Sequence, residues 1–172
     1  CYTKAVLKNH LLLEIRTSKD SEETPETAVQ LFSTLPNLKN NFFHRLLSKT
    51  ESLSFEILVH QQSIHFLAHV PLRLLEYFKG ALHASYPQAV MTELSFDPVD
   101  FFLDKKAKNR VASLKLKNHS YLPLKTYGDF KEIDPLSTLM STLSKNEGND
   151  TILIQMILDN ENSFWAKRTQ IS

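Results

Sequence analysis

The sequence predicts an α+β protein built around an antiparallel sheet. Apolar residues alternate with polar ones over 54–60 and again over 64–70, which is the period of two paired strands. On both sides of that hairpin, apolar residues recur every three or four positions behind a proline, which is typical of amphipathic helices. The 172 residues, 42% of them hydrophobic, suffice for a substantial core.

The first strand and helix come from the segment before the hairpin. The apolar run Leu11–Ile15 predicts a short, mostly buried strand. Thr24-Pro25-Glu26 marks a helix start, because Thr caps, Pro fits the first position and Glu suits the first turn. The helix stripe is Ala28, Leu31, Phe32 and Leu35. A second, short amphipathic helix is expected within 38–50.

The register of the hairpin follows from its loop. A loop of Gln61-Gln62 places the predicted core residues of the two strands on one face. The facing pairs are then Val59 with Ile64, Ile57 with Phe66, and Phe55 with Ala68. Gln-Gln is poor chemistry for a type I′ turn, so a longer loop is the alternative.

A helix and a strand complete the first unit. Pro71 opens the helix, and Ala89–Phe96 reads as the next strand. The helix stripe is Leu74, Leu75, Phe78 and Leu82. The order strand, helix, strand, strand, helix, strand is that of a ferredoxin-like βαββαβ unit, an antiparallel sheet with helices on one face. We assign it to residues 1–100.

The rest of the chain predicts a basic linker over 101–110 and a second, incomplete βαβ unit over 111–172. Its first strand is the alternating segment Ala112–Lys117, and its last is the apolar run Thr151–Leu158. Asp134-Pro135 starts the helix between them, in the manner of Thr24-Pro25. The helix stripe is Leu136, Leu139, Met140 and Leu143.

Composition excludes several kinds of site. The chain has three widely separated glycines, so neither common phosphate-binding loop can be built. The single cysteine, Cys1, excludes an internal disulfide and a cysteine-rich zinc site. Because the chain begins with Cys1 instead of Met, we expect a processed or excised piece. No apolar run reaches the roughly 18 residues that span a bilayer, so any anchor is expected outside it.

Histidines and carboxylates give no convincing catalytic or metal site. His65 and His69 lie on a predicted strand, where four residues span about 13 Å, too far for one zinc ion. With His60, they are expected on an exposed sheet face. Glu56 and Glu93 could act as paired carboxylates, although exposed strand positions explain them equally well. We therefore predict no catalytic residue, cofactor or metal.

Positive charge concentrates between residues 105 and 125. The segment is a candidate contact for nucleic acid or anionic lipid. The favoured alternative is that the segment is a solvated linker followed by an edge strand that its lysines keep soluble. No aromatic side chain is interleaved with the charges to stack on bases. The candidate residues are Lys105, Lys106, Lys108, Arg110, Lys115, Lys117 and Lys125.

Short motifs along nearly the whole chain resemble one family. They include Thr24-Pro25-Glu26-Thr27-Ala28, Val70-Pro71-Leu72-Arg73, Ala84-Ser85-Tyr86-Pro87-Gln88-Ala89 and Leu124-Lys125-Thr126-Tyr127. The family is the N-terminal accessory domain of membrane-associated conjugation (type IV secretion) ATPases from Gram-positive and candidate-phylum bacteria. The chain departs from it at Gly148-Asn149-Asp150, where the family usually has Gly-Glu.

The resemblance implies a non-catalytic scaffold or assembly domain of a membrane-linked DNA- or protein-translocation ATPase. It implies a soluble domain at the cytoplasmic face of the bacterial membrane, with the motor domain outside this segment. The expected partners are the rest of its own larger chain and secretion-machinery components, with no small-molecule substrate; homo-oligomer formation is left open. The alternative is a nucleic-acid-binding module that uses residues 105–125, with weak binding.

Overall fold

The computed structural model describes residues 9–18, 24–35, 52–102, 108–117, 125, 127–129, 135–145 and 150–158. These residues form an α+β fold, as predicted. The strands are β1 (His10–Arg16), β2 (Leu53–His60), β3 (Ser63–Pro71), β4 (Val90–Leu94) and β5 (Ile152–Leu158). The helices are α1 (Pro25–Thr34), α2 (Leu75–Ser85) and α3 (Pro135–Ser144). The helix expected within 38–50 lies outside the described residues.

All five strands belong to one antiparallel sheet. Their order is β4-β1-β3-β2-β5, so β1, β3 and β2 are central and β4 and β5 are the edges among the described strands. Each neighbouring pair is antiparallel. The expected second unit is therefore wrong in one respect, because its last strand, β5, joins the first sheet beside β2.

The β2–β3 hairpin has the predicted register. Val59 faces Ile64, Ile57 faces Phe66 and Phe55 faces Ala68. The loop is the two-residue Gln61-Gln62, with φ angles of 48° and 64°, so both residues adopt the left-handed conformation of a type I′ turn. The alternative prediction of a longer loop is wrong, because His60 pairs with Ser63 and leaves only two residues for the turn. Strand pairing therefore imposes a tight turn on two glutamines, which disfavour that conformation.

One face of the sheet carries the main core, and we call it the helix-covered face. Leu13, Ala68, Val70 and Leu53 project from it and pack with apolar residues of α1 and α2. The helical members of this core are Leu31, Leu35, Phe78 and Leu82. Both helices therefore lie on the same face, and they also contact each other.

Aromatic packing strengthens this core between the helices. The Phe55 ring of β2 lies 5.2 Å from Phe32 of α1, edge to face, and 6.0 Å from Phe78 of α2. Such pairs contribute about 0.5–1.5 kcal/mol beyond the area that they bury. The apolar faces predicted for the two helices from the 3.6-residue period thus both contact the ring of Phe55.

The strand expected over 112–117 is wrong. Residues 108–116 are irregular, residue 117 is a bend, and every side chain from 108 to 117 is exposed. Alternation predicts which residues would share a face, but a strand also needs an edge to pair with. The sheet position beside β2 is occupied by β5.

The third helix follows its predicted stripe in part. Leu143 is buried, whereas Leu136 is more than half exposed. The helix lies against β3. Among the helices of the described residues, none is both long and apolar enough to cross a membrane.

Candidate functional site

The sheet face opposite α1 and α2 contains buried polar side chains. Glu14, Ser54, Glu56 and His69 are each at least nine-tenths buried, and we call them the polar layer. Strand register explains why they share a face, because His69 pairs with both Ser54 and Leu12, and Leu67 pairs with both Glu14 and Glu56. Buried charges are expensive unless they are paired, so the contacts of each group define the site.

Glu14 is held by two basic groups. Arg16 Nη2 donates to Oε2 at 2.6 Å, and His65 Nδ1 contacts Oε1 at 2.7 Å. The hydrogen bond from Arg16 lowers the pKa of Glu14; burial opposes this effect, and the His65 contact adds to it. Glu14 is therefore a carboxylate at neutral pH, and it joins β1 to β3.

Glu56 receives two hydrogen bonds on one oxygen. Ser54 Oγ donates to Oε1 at 2.9 Å, and Gln155 Nε2 of β5 donates to the same atom at 2.7 Å. The expectation that Glu56 is an exposed strand residue is wrong. Pairing with Glu93 is also excluded by geometry, because Glu93 faces Leu13 on the helix-covered side and contacts Lys79 Nζ at 3.3 Å.

His69 is buried beside a second histidine. Its ring stacks on that of His10, with centroids 6.1 Å apart and planes 20° from parallel. Burial lowers the pKa of His69, which the negative charges of Glu56 and Asp97 partly oppose. The expectation that His69 is exposed is wrong, and the neutral imidazole is the stable form inside the fold.

Two further histidines, both on strands, also make contacts between strands. His65 contacts Glu14, and His60 Nδ1 lies 2.9 Å from the Thr151 hydroxyl, just before β5. Across the described residues, no group of three or more His, Cys, Asp or Glu side chains is placed to hold a metal ion. The polar layer links β5 to β2 through the hydrogen bond from Gln155 to Glu56.

The basic residues predicted as a contact surface are exposed and irregularly placed. Lys105 and Lys106 lie outside the described residues. The others, Lys108, Arg110, Lys115, Lys117 and Lys125, are all exposed. Asn109 Nδ2 donates to the Phe102 carbonyl at 2.6 Å, which anchors one end of this segment. The described lysines do not join the polar layer.

Sequence reasoning missed the polar layer, although one signal was available. Glu14 interrupts the apolar run of a strand that was expected to be mostly buried, so the strand's own burial implies a buried carboxylate. Ser54 and Glu56 gave no such signal, because alternation with apolar residues is equally typical of a half-exposed strand.

Among the described residues, the fold is an α+β domain with one antiparallel sheet. One face of the sheet carries the main apolar core, and the other carries the buried polar layer beside a smaller apolar cluster of Leu12, Leu58 and Leu67. No curated protein and no solved structure matches the chain. The family model described as a domain of unknown function (DUF8128) matches residues 3–171, and the chain belongs to this family.

Proposed function

We propose that the chain is a non-catalytic assembly domain of a membrane-linked ATPase that translocates DNA or protein. The observation that carries this proposal is the apolar character of the β5 edge, together with one exposed valine on β4. Val90 on β4 is 60% exposed, and Met156 and Ile157 on β5 are 47% and 46% exposed. Edge strands usually carry charges or a cover that prevents further pairing, and apolar edges are typical of interaction sites.

The partner assignment comes from the motif resemblance to accessory domains of conjugation-type ATPases. We propose contact with the motor part of the same larger protein and with secretion-machinery components at the cytoplasmic face of the membrane. The polar layer supports a scaffold role, because its described contacts join strands to one another. A rigid sheet with exposed edges is suited to holding partners in a fixed orientation.

We also propose that β1, α1, β2, β3, α2 and β4 form a ferredoxin-like unit that β5 extends. Three features support this: the order β4-β1-β3-β2, the antiparallel neighbours, and α1 and α2 on one face. In this arrangement β5 is an addition at the β2 edge. It replaces the open edge of the βαββαβ unit with a more apolar one.

In-cell photo-crosslinking tests the proposed function. A photoreactive amino acid replaces Val90 or Met156 in the full-length protein, and crosslinked partners in the membrane fraction are identified by mass spectrometry. Leu72, which is also about half exposed but lies outside both edges, is the matched control position. We expect edge positions to crosslink to translocation components and Leu72 not to. Crosslinks only to unrelated soluble enzymes, or equal capture from Leu72, contradict the proposal.

A nucleic-acid-binding module is the second candidate, favoured by the exposed cations of the basic segment. Lys115 and Lys117 are two positions apart and both exposed, so both could reach phosphates together. The other described cations are not held by secondary structure, and ordering them costs side-chain entropy. Weak, salt-dependent binding is therefore the expected result.

A further inference from the structure

The outer side of β5 is an open sheet edge. All seven residues of β5 pair with β2 on one side, and no strand among the described residues pairs with β5 on the other side. Natural proteins usually protect such an edge with a charged residue, a proline or a bulge. The β5 sequence, ILIQMIL, contains no charged residue and no proline, and its register with β2 is continuous. The edge therefore favours pairing with a further strand.

The side chains of β5 are arranged symmetrically about the central residue of the strand. Gln155 is the fourth of the seven residues, with three apolar residues on each side of it. When two copies of β5 run antiparallel and are centred on Gln155, each apolar residue lies opposite an apolar residue. The facing pairs are Ile154 with Met156, Leu153 with Ile157, and Ile152 with Leu158. This symmetry favours a second copy of β5 as the added strand.

The same pairing keeps both faces of the sheet continuous, because facing residues of antiparallel strands project to the same side. On the helix-covered face, Met156 of the second copy extends the row of Ile57 and Ile154. On the opposite face, Ile157 of the second copy lies beside Leu153, which packs against the smaller apolar cluster. A shift by one residue would exchange the faces, so the sheet fixes the register.

The central residue is suited to meeting its own copy. A residue on a two-fold axis faces itself, so a charged side chain there would meet a like charge. Gln155 is neutral and exposed, and its amide group carries both donors and an acceptor. One N–H donates to Glu56 Oε1 at 2.7 Å. Among the described contacts, the second N–H and the carbonyl oxygen remain for the matching groups of the other copy.

We propose that two copies of the chain pair through β5, antiparallel and centred on Gln155, so that their two five-stranded sheets become one. This inference rests on the proposed assembly function and names a second copy as the occupant of the β5 edge. The β4 edge is less suited, because the same pairing about Thr92 places Glu93 opposite Met91. Both copies use the same surface, so the contact closes as a dimer and covers both β5 edges.

The contact is expected to be weak between two isolated copies. Pairing two strands of seven residues buries less than the roughly 1,200 Å² of a standard stable interface. Within a larger assembly, further contacts that hold two copies together raise their effective concentration and so strengthen the pairing. A dimer Kd in the micromolar range or weaker is therefore expected for the purified chain.

Disulfide crosslinking between two differently tagged copies of the chain tests the register. In a Cys1→Ser background, one copy carries Ile154→Cys and the other carries Met156→Cys, which face each other in the proposed dimer. The matched control replaces Met156→Cys with Ile157→Cys, since these neighbours are 47% and 46% exposed but lie on opposite faces. We expect at least tenfold more heterodimer with Met156→Cys, because only facing Cβ atoms come close enough for a disulfide. Equal yields overturn the proposal.

The tags also separate antiparallel pairing from other arrangements. In the proposed register, the Met156 positions of the two copies are diagonal neighbours, about 7–8 Å apart, instead of facing each other. Homodimers of Met156→Cys should therefore be at least tenfold less abundant than heterodimers with Ile154→Cys. Homodimers that are equally abundant indicate a parallel or shifted pairing and contradict the proposal.

Sedimentation velocity supplies an independent readout. The wild-type chain should show a monomer–dimer equilibrium without larger species, because the proposed contact closes. Met156→Lys with Ile157→Lys should raise the dimer Kd at least tenfold, since lysines on an edge strand oppose further pairing. Val90→Lys, at an exposed apolar position on the β4 edge, is the matched control and should change the Kd less than twofold. Circular dichroism establishes that each variant is folded.

Three results overturn the proposal: a wild-type chain that is monomeric at about 1 mM, polymers that grow with concentration, or equal effects of the β5 and β4 variants. None of them changes the photo-crosslinks from Val90 to translocation components, which do not involve β5. Failure of the self-pairing and failure of the assembly function are therefore distinguishable.

Discussion

The Gln61-Gln62 turn should limit the stability of the domain. Both residues have positive φ, 48° and 64°, and both are exposed. Their side chains lie in solvent, so changing them alters the backbone preference without removing core contacts. Replacing the pair by Asn-Gly introduces the residues that a type I′ turn favours. We therefore expect Gln61→Asn with Gln62→Gly to raise the free energy of unfolding.

The size of the effect follows from the backbone conformation. A residue with a Cβ in the left-handed region costs about 1–2 kcal/mol, and glycine avoids this cost. Glycine also loses about 0.5–1 kcal/mol more chain entropy on folding, which offsets part of the gain. Asn tolerates the conformation better than Gln and adds a few tenths of a kcal/mol. The net expectation is about 1 kcal/mol of stabilisation, or a Tm higher by roughly 2–4 °C.

Urea unfolding followed by circular dichroism measures this change. The matched control is Gln62→Ala, which keeps the Cβ and so retains the backbone cost; its midpoint should stay near that of the wild type. An unchanged or lowered midpoint for the Asn-Gly variant would refute the reasoning. So would an equal gain from Gln62→Ala, because the gain would then not come from removing the Cβ.

Three further predictions concern the polar layer and the basic segment. The free energy of unfolding should fall on acidification. The pKa of His69 in the folded protein lies below its ordinary 6.5, so the stability that the neutral imidazole contributes is lost as the pH falls from 6.5 through the folded pKa. The pKa of Glu14 is also lowered, so the stability that its carboxylate contributes is lost at lower pH, below the ordinary 4.5. His69→Gln should flatten the upper part of this profile in urea titrations at several pH values, and an unchanged slope contradicts the assignment. Glu56→Leu should lower the free energy of unfolding by about 1–3 kcal/mol, because the donors of Ser54 and Gln155 lose their buried acceptor. Glu93→Leu, where the side chain is 57% exposed, should cost less than about 0.5 kcal/mol, and equal losses from the two variants refute the role of burial. Fluorescence anisotropy with duplex DNA should give a Kd of about 10⁻⁴ M or weaker at physiological salt; submicromolar binding that Lys115→Glu with Lys117→Glu abolishes would favour the nucleic-acid module over the scaffold.

Local features of the fold were predictable from the sequence. The hairpin register follows from alternation over 54–70, because a one-residue slip would move every apolar side chain to the other face. The helices at Pro25 and Pro135 follow from local start signals and the spacing of apolar residues. These features depend on residues close together in the chain, so a single sequence contains them.

The features that were missed depend on distant residues. Nothing local to 152–158 indicates that it pairs with β2, and nothing local to 112–116 indicates that it pairs with none of the described strands. The polar layer was hidden for a related reason: whether the face of Glu56 is covered depends on packing, not on the strand's own pattern. The basic residues were identified as exposed, but their lack of a common arrangement could only come from the structure.

The late position of β5 has a consequence for how the domain folds. Gln155 and Glu56 are 99 positions apart, whereas β2 and β3 are joined by two residues. Closing a long loop costs more chain entropy and takes place late, so contacts of high sequence separation slow folding. During synthesis, β1 to β4 leave the ribosome well before β5 does. A four-stranded intermediate should therefore precede the complete sheet. In this intermediate the carboxylate of Glu56 is solvated on the side where Gln155 later donates its hydrogen bond.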